Sequence, residues 1–144
     1  VGAADIDFAR VLELMRKKGP SWLKGSILRE CYFQPTFHKF QGQLCHGFMF
    51  HTDVPGYRPR DFKPYRVVSL MLKCVRELYP QYPIYRDFAY EYVEDKLAFD
   101  VIHGGPRLRE WIESPQAKPA DLEKLLRRDE NAWKKEYKRY FLYR

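Results

Sequence analysis

"ILRECYFQPTFHKFQGQLCHGFMFHT", residues 27–52, decides the fold. Its two ends, 27–33 and 45–52, are rich in β-branched, aromatic and sulfur-bearing residues and are short enough for strands. Both are apolar at successive positions, which predicts strands covered on both faces, as in a central sheet. Between them the segment 34–44 carries Pro35 and Gly42 as punctuation, so it reads as an arm joining the strands.

Helical patterns surround this pair. Residues 6–18 place Phe8, Val11, Leu12 and Met15 on one stripe, with Asp5 or Asp7 as cap and Gly19-Pro20 as the stop. Residues 53–64 hold three prolines and one glycine and read as a basic loop. Residues 65–79 then repeat Val67, Val68, Met71, Cys74, Val75 and Leu78 at spacings of three and four, closed by Pro80. A short extended piece is expected around Tyr90 to Val93, a turn or two of helix from Asp95 to Gly104-Gly105, and another short helix from Pro106 through Ser114. Pro119 opens a last helix in which Leu122, Leu126, Trp133, Tyr137 and Tyr140 share a face, expected to dock on the sheet. No repeat or linker interrupts the pattern. The expected architecture is one α/β (α+β) domain, a small mixed sheet packed with four to five helices.

Composition narrows the class. A chain of 144 residues, 45% hydrophobic and 31% charged, has the material for a core and does not match disordered sequence. The longest apolar run, 67–72, is broken by Ser69, far short of the roughly 20 residues needed to cross a bilayer. The opening "VGAADID" has neither a basic start nor an apolar signal region, so the chain reads as a fragment or processed piece with any targeting information upstream. Cys31, Cys45 and Cys74 form no paired pattern and are expected as buried free thiols. The net charge of +7 favours anionic partners, but the basic residues of the last helix read as a solvated face ahead of a nucleic-acid stripe.

The arm and its flanks concentrate polar chemistry. His38, Cys45, His46 and His51 are metal-binding residue types, yet none has helical ligand spacing and Cys45 and His46 point to opposite faces of a strand, so no metal is expected. Hydrogen-bonded neutral histidines fit better. Asp53, Glu91, Glu94, Asp95 and Asp100 are the available carboxylates; Glu94-Asp95 reads first as a helix cap, and Asp100 as a residue holding a turn through its own backbone bonds.

The order of motifs resembles the C-terminal half of the NamZ-type exo-β-N-acetylmuramidases, a peptidoglycan-trimming glycoside hydrolase family. The residues carrying the resemblance are "VGAADID", "YFQPTFHKFQGQLCHGFMFHTD", "FKPYRVVSLMLKCVRELYP", "YEYVEDKLAFDVIHGGPRLREWI" and "YKRYFLYR". It implies a bacterial two-domain enzyme, periplasmic or secreted. Its N-terminal, Rossmann-like half carries the main catalytic carboxylate, and its C-terminal half, this chain, closes a cleft at the junction. No cofactor is implied, and this half alone is expected to be inactive. The substrate implied is a peptidoglycan-derived saccharide ending in N-acetylmuramic acid, whose lactyl carboxylate calls for cations. The residues expected to bind it are Thr36, His38 and Asp53, which end or interrupt extended segments, with Lys39 and Lys96 as cations by position and Tyr90 as a ring to stack on a sugar face. The competing readings are a non-catalytic module binding anionic glycan or nucleic acid, and a dimerisation domain.

Overall fold

The structure, a computed structural model, describes residues 1–87 and 90–143. Arg144, the last residue of the closing motif, lies outside the described residues. Among the described residues three strands, β1 (Gly2–Ala3), β2 (Ile27–Phe33) and β3 (Cys45–His51), form a sheet in the order β1-β3-β2. Every pairing is antiparallel, with Ile27 opposite His51 and Phe33 opposite Cys45. The sheet is therefore not mixed: the arm is too short for a crossover, so β2 and β3 pair as a hairpin. β1 adds to the free side of β3 where Gly2 faces Gly47, and a methyl on either glycine would strike the opposing backbone.

The expectation of two covered strands holds only for the first half of β3, since Met49 is 47% exposed. β3 is central and buries Cys45, Gly47 and Phe48, whereas β2 is an edge strand with Ile27, Tyr32 and Phe33 exposed. Apolar composition marked both as strands, but only position in the sheet determines which of them is covered.

Among the described residues five α-helices follow the expected order: α1 (Phe8–Lys18), α2 (Pro64–Leu78), α3 (Ala98–Ile102), α4 (Arg107–Glu113) and α5 (Pro119–Tyr137). Asp7 caps α1 by accepting the N–H groups of Ala9 and Arg10, and the Gly19 N–H closes it on the Met15 carbonyl at 2.9 Å. Gly19 is also where α1 meets α2, since a Cβ there would sit 2.7 Å from Leu70 Cδ2. α3 starts three residues later than expected: Leu97 is its cap residue, and Asp95 caps nothing.

The core forms where α1, α2 and α4 pack together beneath the sheet. Phe8, Val11, Leu12 and Met15 of α1 meet Val67, Leu70, Met71, Cys74 and Val75 of α2, with Leu108, Trp111 and Ile112 of α4 behind them. Phe48 brings β3 into this cluster edge-on to Phe8, ring centroids 5.0 Å apart. Lys73, 4% exposed, fastens α2 to the end of α4. Its ammonium donates to the Trp111 and Ser114 carbonyls at 2.9 and 2.8 Å and lies 4.8 Å from the Trp111 ring centre, while burial pulls its pKa down. The same burial pushes the Cys74 thiol up to about 12, which makes it a poor nucleophile. All three cysteines are free; Cys45 and Cys74 are buried and Cys31 half-buried.

α5 does not dock its apolar face on the sheet. Among its described residues only Leu122 is buried, and Trp133 is 62% exposed. The helix is held instead to α2 by charge: Arg66, 7% exposed, binds Glu123 at 2.6 Å and Glu130 at 2.8 Å. Burial works against the Arg66 charge, but its bonds to the two glutamates outweigh that and raise its pKa. Among the described residues, no helix is long and apolar enough to cross a membrane.

Candidate functional site

A cleft of about 690 Å³ opens between the 93–97 segment and the turn from α3 to α4. Val93, Asp95, Lys96, Asp100, Gly105 and Arg109 are among its lining residues. Two short helices build it. The chain reverses at Gly104 (φ 72) and Gly105 (φ 137), left-handed positions suited to glycine, and the Gly105 N–H closes the turn on the Asp100 carbonyl at 2.7 Å. The reversal brings Arg109 of α4 against Asp100 of α3, where Nε lies 2.9 and 3.0 Å from the two carboxylate oxygens and Nη2 lies 2.7 Å from Oδ2. The Asp100 carboxylate raises the Arg109 pKa. Asp100 thus holds the turn through an ion pair as well as through its backbone, and it presents a fixed, neutralised pair to the cleft.

Lys96 enters this cleft as an exposed cation. Tyr90 stands beside it: its backbone pairs with Val93, a lining residue, across a tight turn in which Glu91 takes φ 53. Behind the glycine turn a smaller cavity of 140 Å³ is lined by Tyr65, His103 and Arg107. His103 donates from Nδ1 to the Phe99 carbonyl at 2.8 Å. Arg109 and His103 escaped the sequence reading. Arg109 lies mid-helix and nine residues from its partner, so no local pattern flags the pair.

The arm forms a second polar cluster. Gln34 Nε2 donates to the Gly42 carbonyl at 2.6 Å and the Gly42 N–H to the Pro35 carbonyl at 2.9 Å, closing the loop on itself. Inside it His38 (φ 60) and Phe40 (φ 64) occupy left-handed backbone that non-glycine residues rarely adopt. Thr36 and His38 are exposed. Lys39 is engaged rather than free: its ammonium lies 4.7 Å from the Phe40 ring centre and 5.1 Å from that of Tyr82, and 3.3 Å from the Tyr82 hydroxyl. Burial, reinforced by Asp5, pushes that hydroxyl up to about 12.

The structure does not gather the six expected residues into one place. Asp53 follows β3 at the far end of the hairpin from the arm, about 20 Å away at roughly 3.3 Å per residue along the strand. It is exposed and 3.9 Å from His51 Nδ1. Among the described residues, no hydrogen bond, ion pair or ring contact joins the arm to the 93–109 cleft. Thr36, His38 and Lys39 form one group, Tyr90 and Lys96 a second, and Asp53 stands apart.

His46, one of the metal-type residues, has a structural role. Its Nδ1 accepts the Phe8 N–H at 3.1 Å, so Nε2 carries the proton toward Glu30 at 3.1 Å, and the ring stacks on Tyr32 with centroids 4.6 Å apart. It joins the start of α1 to the sheet. Among the described residues, no group of three or more His, Cys, Asp or Glu side chains could hold a metal ion.

The fold resembles that of a DUF1343 family protein from Bacteroides fragilis NCTC 9343, solved as a crystal structure, at a TM-score of 0.69 and 17% identity. The alignment covers 99% of this chain and 34% of that one, so the chain spans about a third of the solved protein. No curated protein matches the sequence significantly. Residues 1–143 match the family described as Exo-beta-N-acetylmuramidase NamZ, C-terminal, and the chain belongs to that family.

Proposed function

We propose that this chain is the cleft-forming C-terminal domain of a two-domain exo-β-N-acetylmuramidase. The enzyme hydrolyses terminal β-linked N-acetylmuramic acid from peptidoglycan fragments, and the principal catalytic carboxylate belongs to a preceding Rossmann-like domain. The family match over residues 1–143 carries this reading. The 690 Å³ cleft adds chemistry suited to it: Lys96 supplies a cation for the lactyl carboxylate, and the Arg109–Asp100 pair fixes the wall beside it. Glycoside hydrolysis needs two carboxyl groups about 5–9.5 Å apart across the scissile bond, and in this proposal this half contributes positioning and recognition. Tyr90 flanks the sugar at the cleft. Thr36, His38 and Lys39 act from the arm as a separate contact, and Asp53 belongs to neither.

The test is release of chromophore from a muramic acid glycoside by the full-length polypeptide, beside its Lys96→Ala variant. The proposal expects cleavage by the parent and, in the variant, a KM raised about tenfold, the size of one lost charge-assisted hydrogen bond. A well-folded full-length protein that releases nothing refutes it. A second reading, an anionic-glycan or nucleic-acid binding module without catalysis, draws on the basic distal part of α5. Salt separates the two: nucleic-acid affinity falls steeply as salt rises, and a sugar pocket responds little.

A further inference from the structure

The end of α5 and the residues after it form an exposed aromatic surface. Trp133 and Tyr137 touch at 5.8 Å between ring centroids, and Tyr137 and Phe141 at 5.2 Å, making a continuous aromatic ladder. Leu142 and Tyr143 beyond it are 89% and 88% exposed. Among the described residues, none of these five side chains packs against the core. A contiguous apolar stripe of this kind on a charged domain marks an interaction surface.

The neighbouring charges add chemistry. Lys134, Lys135 and Lys138 flank the ladder and form no ion pair among the described residues, while Arg139 is paired with Glu136. The near half of the helix is fixed to the body by Arg66 and by the Arg107–Asp129 pair at 2.9 Å, so the stripe is presented at a set angle. A rigid ladder ringed by unpaired lysines suits a preformed apolar groove with an acidic rim.

We infer that the Trp133–Tyr143 stripe is the docking surface for the preceding part of the same polypeptide, which covers it with such a groove. The family is by its description the C-terminal portion of a longer protein, and the solved chain of the same fold extends well beyond the matched third. The inference rests on the two-domain reading above and adds the surface through which the domains engage. The edge strand β2 is a smaller candidate, since Arg29 and Glu30 interrupt its apolar residues.

Amide hydrogen exchange tests it, comparing residues 133–143 in the full-length polypeptide and in the chain of residues 1–144. Exchange roughly tenfold or more slower in the full-length protein, restored to the isolated rate by W133S/F141S/L142S together, supports the inference. Equal exchange in the two proteins overturns it. Protection that appears in the isolated chain only as its concentration rises, or only with anionic phosphatidylglycerol vesicles, also overturns it, assigning the stripe to a second copy or a lipid surface. Assaying the same full-length samples for muramic acid release keeps the two proposals apart. Protected but inactive protein sinks the function and leaves the docking standing; active but unprotected protein does the reverse.

Discussion

α2 and α5 both carry an apolar stripe at helical spacing, and only one of them is buried. α2 sinks Val67, Leu70, Met71, Cys74 and Val75 into the core, whereas α5 buries Leu122 and leaves Trp133 in solvent. The difference lies in what surrounds them. α2 is enclosed by α1 and α4, and α5 touches the body through its first half, where charge as much as apolar packing holds it. Amphipathic periodicity reports that a helix has a partner face, and leaves open whether that partner lies within the same folding unit.

The sharpest way to break this contrast is to remove apolar bulk from α2. Leu70→Ala should cost about 3–5 kcal/mol, the range for a large-to-small change at a fully buried site, read as a lower urea midpoint at unchanged slope. A loss below about 1 kcal/mol would mean that α2 is not the centre of the core.

Next in size is the link between the two helices. Arg66→Ala should cost about 2 kcal/mol, because Glu123 loses its buried partner while both glutamates keep some access to water. The loss should appear first as faster amide exchange in the near half of α5.

A smaller effect follows from pH. Bonding to Arg66 holds the Glu123 carboxyl below its ordinary value of 4.5, so the folded state binds this proton less readily than the unfolded chain. The resulting stability is fully present above pH 4.5 and is lost as pH falls through the lowered folded value. The stability gap between the native chain and Glu123→Gln should therefore be constant near neutrality and shrink in acid. A gap that widens on acidification would reverse the assigned sign.

Smallest of all is Trp133→Ser, which in the chain of residues 1–144 should change stability by less than about 0.5 kcal/mol, since the side chain is exposed. In the full-length polypeptide the same change should cost several times more if the stripe is covered. Thermal melts of both proteins provide that comparison.

Much of the fold was legible in local sequence. The arm's Pro35 and Gly42 separated two strands, Gly19 and Pro80 ended α1 and α2, and Pro119 opened α5, because these residues restrict or free the backbone whatever packs around them. The site was legible only in pieces. Lys96 was expected as a cation by its position in the chain, and it lines the 690 Å³ cleft, but Arg109, which meets Asp100 only when the Gly104–Gly105 reversal folds α4 back, carried no local mark. Asp53 was expected to share one binding surface with the arm, and the length of β3 placed them at opposite ends of that strand.

By itself the sequence determined where the backbone bends, the strands β2 and β3, the order of the helices, and the family, since these depend on residue type and spacing along the chain. Only the tertiary structure decided that the first half of β3 is covered and β2 is not, that Asp100 faces Arg109, and that the aromatic stripe of α5 has no partner among the described residues. Burial and ion pairing depend on which surfaces meet, and that is fixed by the packing of distant segments rather than by any one of them.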